Sequence, residues 1–206
     1  MNMKFDARYT EYQSNRSLLR KLVRRIYLRS AAAQLQGPTL DFGCGIGELL
    51  RRLPAGSRGL EYNEATVDFC RAAGLAVDAY DGFRDDWAMS ALPAGARFQS
   101  MVISHVMEHL EHPVEVLRKL MLAARSRGVE QVLVIVPGQA GFRIDDTHRT
   151  FVDMAQLSAS SVAADTGFLL NHARYFPGNF QKLGNWFPHH ELQVLYRVCP
   201  EQSPTR

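Results

Sequence analysis

Two short stretches carry residues whose types and spacing can do chemistry. The first, residues 40–48, reads Leu-Asp-Phe-Gly-Cys-Gly-Ile-Gly-Glu: the acid Asp41 follows an apolar run, and Gly43, Gly45 and Gly47 then alternate with Cys44 and Ile46. Glycine is needed where a backbone takes positive φ or approaches a ligand closely. A helix opening after such a loop offers unpaired N–H groups to polar ligand atoms. The second stretch is His105-Val106-Met107-Glu108-His109-Leu110, and Asp145-Asp146-Thr147-His148-Arg149 follows later in the chain. Histidine titrates near neutral pH, which suits it to taking a proton or holding a metal.

The glycine loop implies a nucleotide-type cofactor, and charge separates the candidates. A nicotinamide or flavin loop reads G-x-G-x-x-G. Here the third glycine, Gly47, comes one position early, and Glu48 stands where that pattern wants glycine. Asp41 is badly placed for a diphosphate and well placed for an ammonium group. S-adenosylmethionine has an ammonium, a sulfonium and no phosphate, so the charge logic favours it. Glu61 ends the next apolar run, where a carboxylate can accept from both ribose hydroxyls. Asp81 can accept from an adenine amino group, with Gly82 and Phe83 lining the ring.

The surrounding elements must position these residues. Leu18, Leu19, Leu22, Val23, Ile26 and Tyr27 recur at helical spacing and predict a helix over 16–33, with arginines on its other face. Strands are expected at 39–42, 58–62, 75–80, 98–104 and 132–136. Short helices are expected at 47–53 and 84–92. Asn63 reads as the N-cap of a helix over 64–73 that Gly74 ends. His112-Pro113 opens another helix, with Val114, Leu117, Leu120, Met121 and Ala124 as its buried stripe. Residues 138–151 read as a long polar connection and 152–165 as a helix. Two final strands, 168–176 and 192–198, are joined by an aromatic, glycine-rich loop, as in an edge hairpin. This alternation argues for an α/β fold with a mostly parallel sheet and helices on both faces. Ligands in such sheets bind beyond the carboxyl ends of the strands, where Asp41, Glu61, Asp81 and residues 104–109 all fall.

In this order, the glycine loop, residues 59–63, Tyr80-Asp81 and residues 98–110 resemble the motifs of the class I S-adenosylmethionine-dependent methyltransferases. His105-Val106-Met107-Glu108-His109-Leu110, followed by Pro113, is similar to a signature of the small-molecule branch, which includes ubiquinone-biosynthesis enzymes and sugar and natural-product O-methyltransferases. Gly45, Glu48-Leu49-Leu50, Gly59, Glu61, Cys70 and Gly74 resemble the MetW-like relatives. The resemblance covers about residues 38–176. It implies a Rossmann-like, seven-stranded sheet whose last strand is antiparallel. It also implies S-adenosyl-L-methionine as cofactor, bound by Asp41, Gly43, Cys44, Gly45, Gly47, Glu61, Tyr62, Asp81, Gly82, Ser104 and His105. The expected layout is a helical lid segment over 1–36, whose Tyr9 and Tyr12 cover the cofactor or pack at the surface or in the core, a methyltransferase domain over 37–200 and a tail over 201–206. The expected activity is methyl transfer to a small-molecule acceptor, at oxygen.

Methylating a hydroxyl needs in-line alignment, exclusion of water and removal of a proton. A helical segment 105–109 would put His105 and His109 on one face with Glu108 beside them. Three readings of these residues stay open. His105 packs against the cofactor while His109 bonds to backbone; or His109 or His148 is the general base; or His105, Glu108, His109 and His148 hold a divalent metal that polarises the acceptor. Relatives with such a metal carry Glu where this chain has His105, so no metal is assigned. The catalytic candidates are His105, His109 and His148. Asp145 and Asp146 cap a turn or hold an acceptor hydroxyl, and Arg143 and Arg149 flank them. Phe176, Phe180, Trp186 and Phe187, with His189 and His190, line an acceptor pocket or form a small satellite core. Two rival functions keep the fold: a cofactor- or partner-binding module without turnover, and a protein or RNA methyltransferase.

Composition sets the outer bounds. The 206 residues, 46% apolar and 22% charged, fit one globular domain. A net charge of +3 is too small to argue for nucleic acid. It is unevenly spread: residues 1–36 hold eight basic and two acidic side chains, a solvated helix face or a docking surface for an anionic partner. Cys44, Cys70 and Cys199 lack metal-ligand spacing, which suggests reduced thiols and a cytoplasmic protein. No run approaches the ~20 apolar residues that span a membrane, and the N-terminus lacks a signal-peptide core.

Overall fold

Seven apolar runs become the strands of one sheet. The computed structural model describes residues 18–198 except 160, 161, 163 and 164, with side chains from residue 25 onward. The strands are β1 (Thr39–Phe42), β2 (Arg58–Glu61), β3 (Val77–Ala79), β4 (Ser100–Ser104), β5 (Gln131–Pro137), β6 (Phe168–Phe176) and β7 (Glu191–Val198). Their order is β3-β2-β1-β4-β5-β7-β6. Strands β1 to β5 pair in parallel, and β7 lies antiparallel between β5 and β6. This is the Rossmann-like sheet with an antiparallel last strand that the resemblance implied. The hairpin sits at the sheet edge as expected. Tyr9, Tyr12, Cys199 and the 201–206 tail lie outside the described residues.

Strand periodicity sends alternate side chains to two cores. Met101 and Ile103 of β4 and Val132, Val134 and Val136 of β5 face the larger one. The helix α3 (Pro113–Ser126) buries Val116, Leu117, Leu120, Met121 and Ala124 there. Each such aliphatic side chain contributes about 1.5–3 kcal/mol by leaving water. Val102, Leu133 and Ile135 face the other side, where α1 (Leu18–Ala32) packs Tyr27, Leu28 and Ala31. The helix α2 (Glu64–Ala72) covers β2 and β3 with Val67 and Cys70. Its cap is the expected one: Asn63 accepts from the N–H groups of Ala65 and Thr66.

Three expected helices are different. Residues 47–53 hold only a 3₁₀ turn, Leu50–Arg52, before Pro54 stops the chain. Residues 84–92 form turns, with positive φ at Asp86, Trp87 and Met89. Packing overrides propensity there, because the Trp87 ring covers Gly82 and tilts against Phe42, and the Tyr80 hydroxyl accepts from the Met89 N–H. Of the helix expected over 152–165, the described residues show a first turn, α5 (Met154–Leu157), opened by a capping box between Asp153 and Gln156, a break at Ser158-Ala159 and helix again at Val162. The Tyr196 hydroxyl takes the Leu157 carbonyl at 2.6 Å. Within the polar connection after β5, Gln139–Arg143 forms a short helix, α4. Val114 is only partly buried, and Val116 takes the place expected for it in the α3 stripe.

Candidate active site

The charged residues gather beyond the carboxyl ends of the parallel strands. At β1, the loop turns back so that the Gly43 and Cys44 N–H groups both donate to the Leu60 carbonyl, at 2.9 and 3.1 Å. Gly43, Gly45 and Gly47 all have positive φ, +71°, +53° and +73°. A Cβ on Gly43 would lie 2.4 Å from a Val106 methyl, and one on Gly47 2.4 Å from Leu75. Asp41 is buried within β1, opposite Gly59 and Val102. Cys44 and Cys70 pack together under the loop, each thiol donating to the Gly45 carbonyl; the neighbouring thiol and burial push Cys44 up, and the neighbouring thiol holds Cys70 down against its burial.

Glu61, at the end of β2, is tied to backbone. Its Oε2 accepts from the Gly45 N–H at 2.8 Å and its Oε1 from the Asn63 N–H at 3.0 Å. Burial raises its pKa against the pull of those amides. Beside it Tyr62 is 55% exposed. Asp81 caps the next turn, accepting from the N–H groups of Phe83 and Arg84. Phe83 is exposed and meets Trp87 edge-on. Gly82 has no room for a side chain, because a Cβ there would lie 2.4 Å from the Trp87 ring. Three carboxylates thus stand at the ends of three adjacent strands.

The β4 end is built from side chains. The Ser104 hydroxyl meets Tyr27 Oη at 2.5 Å. His105 has φ +56°, which breaks any helix through 105–109; only Met107–His109 forms a 3₁₀ turn. His105 and His109 therefore do not share a face. His105 Nδ1 lies 3.1 Å from Glu108 Oε1 and Nε2 lies 2.9 Å from Glu191 Oε1. Carboxylate oxygens only accept, so both ring nitrogens carry hydrogens. Burial lowers the pKa of this ring, but the hydrogen bonds and charges of Glu108 and Glu191 push it up to about 10. His105 is an imidazolium at neutral pH and has no lone pair to offer. Glu191, which opens β7, was missed by sequence reasoning; its sole signal was an acid at the start of an apolar strand.

His109 and His148 meet on the other side of Glu108. The N–H groups of Arg149 and Thr150 donate to the Glu108 carbonyl at 2.8 and 3.1 Å, which pins the connection after β5 to the 3₁₀ turn. The His109 and His148 rings then lie 4.8 Å apart, edge to face, and Phe142 of α4 stacks on His148. His148 Nδ1 lies 2.8 Å from the Phe142 carbonyl, so that nitrogen carries the hydrogen. Thr147 Oγ1 donates to Asp145 at 2.6 Å, leaving its oxygen to accept from His109 Nδ1 at 3.1 Å. Both rings keep the Nε2 lone pair. Burial lowers the His109 pKa, which keeps that ring neutral. Asp145 caps its turn, taking the Thr147 N–H as well. Arg149 pairs with Glu111.

Of the aromatic residues in the β6–β7 loop, Phe180 and Trp186 are exposed, at 75% and 85%. The loop packs closely on α4: Gly184 meets Gly138, and Gly141 meets the Pro188 carbonyl.

A family model described as "Methyltransferase domain" matches residues 12–197. The chain belongs to that methyltransferase family. The match bears out the resemblance to class I S-adenosylmethionine-dependent methyltransferases and carries nothing on a ubiquinone-biosynthesis-like or MetW-like branch. No curated protein matches the sequence significantly. Solved structures share the fold. One is magnesium protoporphyrin IX methyltransferase from Synechocystis with bound S-adenosylhomocysteine: 13% identity, 90% of this chain and 89% of that one, TM-score 0.62. Another is an S-adenosylmethionine-dependent methyltransferase from Archaeoglobus fulgidus: 18% identity, 93% and 100%, TM-score 0.62. A third is geranyl diphosphate C-methyltransferase from Streptomyces coelicolor: 12% identity, 85% and 78%, TM-score 0.57. Among the described residues, no helix is long and apolar enough to cross a membrane.

Proposed function

We propose that this methyltransferase moves a methyl group from S-adenosylmethionine to a hydroxyl of a small-molecule acceptor. The observation that carries the reading is the division of the rim into two sets of groups. Asp41, Glu61 and Asp81, which only accept hydrogen bonds, stand at three neighbouring strand ends beside the glycine loop. The cofactor's donors are an ammonium, two ribose hydroxyls and an adenine amino group, so the two sets match in kind. Glu61 and Asp81 each keep acceptor positions beyond those their backbone partners use. Cys44, Tyr62, Gly82 and Ser104 complete this side, with exposed Tyr62 and Phe83 bordering the ring.

The bound cofactor supplies an electrophilic methyl on sulfur. The chain's residues must bring the acceptor oxygen in line with it and take away the proton. His105 does not take that proton; it stands as a fixed cation between Glu108 and Glu191. The proton leaves at the Glu108–His109–His148 cluster, where two Nε2 lone pairs remain. The β6–β7 loop, with Phe180 and Trp186, covers the acceptor side.

Transfer of a labelled methyl group to a panel of phenolic and sugar acceptors tests this. Turnover is expected on at least one, and His148→Ala should lower it by about 10²–10⁴-fold, with S-adenosylhomocysteine affinity unchanged by calorimetry. Undiminished turnover in that variant removes His148 from the reaction. Tight cofactor binding with no turnover on any acceptor points to a binding module.

A further inference from the structure

Glu108, His109 and His148 each offer one ligand atom, and the three atoms lie within 4.8 Å of one another. The details around them point past a proton relay. Each imidazole gives its Nδ1 hydrogen to an oxygen, of Phe142 or Thr147, and so presents Nε2 as a ready lone pair. Metal-bound histidines are oriented in this way. Glu108 is fully buried; its Oε1 accepts from His105 and stands 3.9 Å from His148 Nε2, and its Oε2 has no hydrogen-bond partner. A buried carboxylate oxygen left unpaired is costly unless a further group satisfies it. Asp145 Oδ2 stands 3.9 Å from His148 Nε2 on the more open side.

We propose that Glu108, His109 and His148 bind a divalent first-row transition-metal cation, with Asp145 at its open side. Two imidazoles and a carboxylate suit zinc, manganese, iron or cobalt better than magnesium or calcium, which take oxygen ligands. His105 lies outside the ligand set, because its ring nitrogens are both spent on carboxylates. Metal–nitrogen bonds of about 2.1 Å bring neighbouring ligand atoms to roughly 3–3.5 Å, so the three side chains close slightly on binding. The site stands on its own geometry; its role in turnover rests on the proposed function. With the cation in place, the imidazole lone pairs are spent on it, so the metal takes over the part that a free imidazole base has in the proposed function. The acceptor oxygen then binds at the open side, its anionic form is stabilised, and its proton leaves to bulk water.

The test uses the whole protein, stripped with EDTA, dialysed and titrated with cobalt chloride by calorimetry and visible absorption. Parallel samples are titrated with S-adenosylhomocysteine. One cobalt ion per chain is expected, with the visible absorption of a protein-bound ion. His148→Ala and Glu108→Gln should each weaken it by about 100-fold or more, by analogy with the 10–100-fold cost of losing a supporting partner. His189→Ala, an exposed imidazole outside the cluster, should leave it unchanged. If Glu108→Gln fails to fold because Glu108 also holds His105, His148→Ala decides alone. Absence of one-to-one binding, or equal binding by His148→Ala, overturns the proposal. S-adenosylhomocysteine binding and turnover in those same samples show separately whether the proposed function still stands.

Discussion

At the β1–β2–β3 end of the sheet, carboxylates are tied to backbone amides; at the β4–β5–β7 end, they are tied to histidines. Glu61 holds Gly45 and Asn63, and Asp81 holds Phe83 and Arg84, all through N–H groups. These bonds shape a loop. Glu108 and Glu191 instead clamp His105, the first from the turn just after it and the second from the distant strand β7. The first end is a cradle whose form depends on glycine. The second is an electrostatic assembly that depends on protonation. Substitutions at the two ends should therefore fail in different ways, the first in ligand binding and the second in stability and its pH dependence.

The largest effect is expected at the cradle. Gly43→Val combines a φ of +71° with a Cβ 2.4 Å from Val106, in a region β-branched residues avoid. It should abolish measurable S-adenosylhomocysteine binding in calorimetry while the circular dichroism spectrum keeps its α/β form. Normal affinity would detach the loop from the cofactor.

His105→Leu should act in the other way. It leaves Glu108 and Glu191 facing each other without a cation, at a cost of about 3–5 kcal/mol, with S-adenosylhomocysteine affinity much less affected than stability. The folded pKa of about 10 lies above the ordinary 6.5, so the stabilisation is complete below about pH 6.5 and fades as pH rises toward 10. Denaturant melts should show the gap between the two proteins narrowing across that window. A constant gap would mean that His105 stabilises by packing and not by charge.

The same contrast explains what the sequence disclosed. The glycine loop, the Asn63 cap and β1 were legible because their contacts lie close along the chain or follow from residue type. The rest depended on distant pairing. His105 meets Glu191 only because β7 inserts beside β5, and His148 meets His109 only because Arg149 and Thr150 bond to the Glu108 carbonyl. Helical spacing put His105 and His109 on one face, yet positive φ at His105 separates them. The helix expected over 84–92 was lost to Trp87, whose ring packs against Phe42 of β1, a contact no local pattern carries.

Returning to the cradle, Glu61→Ala removes a carboxylate that braces the loop and that the proposed function sets against the cofactor. It should weaken S-adenosylhomocysteine binding by about 1–3 kcal/mol. Glu61→Gln should restore part of this if bracing matters more than charge, although its amide can accept from only one of the two N–H groups. If Glu61→Ala binds as tightly as the wild type, neither bracing nor ribose contact belongs to Glu61.

The smallest effect separates local from shared structure at that end. Asn63 Oδ1 caps α2 through Ala65 and Thr66, and its own N–H donates to Glu61. Asn63→Ala removes only the first of these, because the backbone N–H stays. Stability should fall by about 1 kcal/mol, the ordinary value of a cap, measured by urea denaturation, with cofactor affinity almost unchanged. A drop in affinity as large as that of Glu61→Ala would mean that α2 and the loop move together, and that the cradle is stiffened by the helix behind it as well as by the carboxylate.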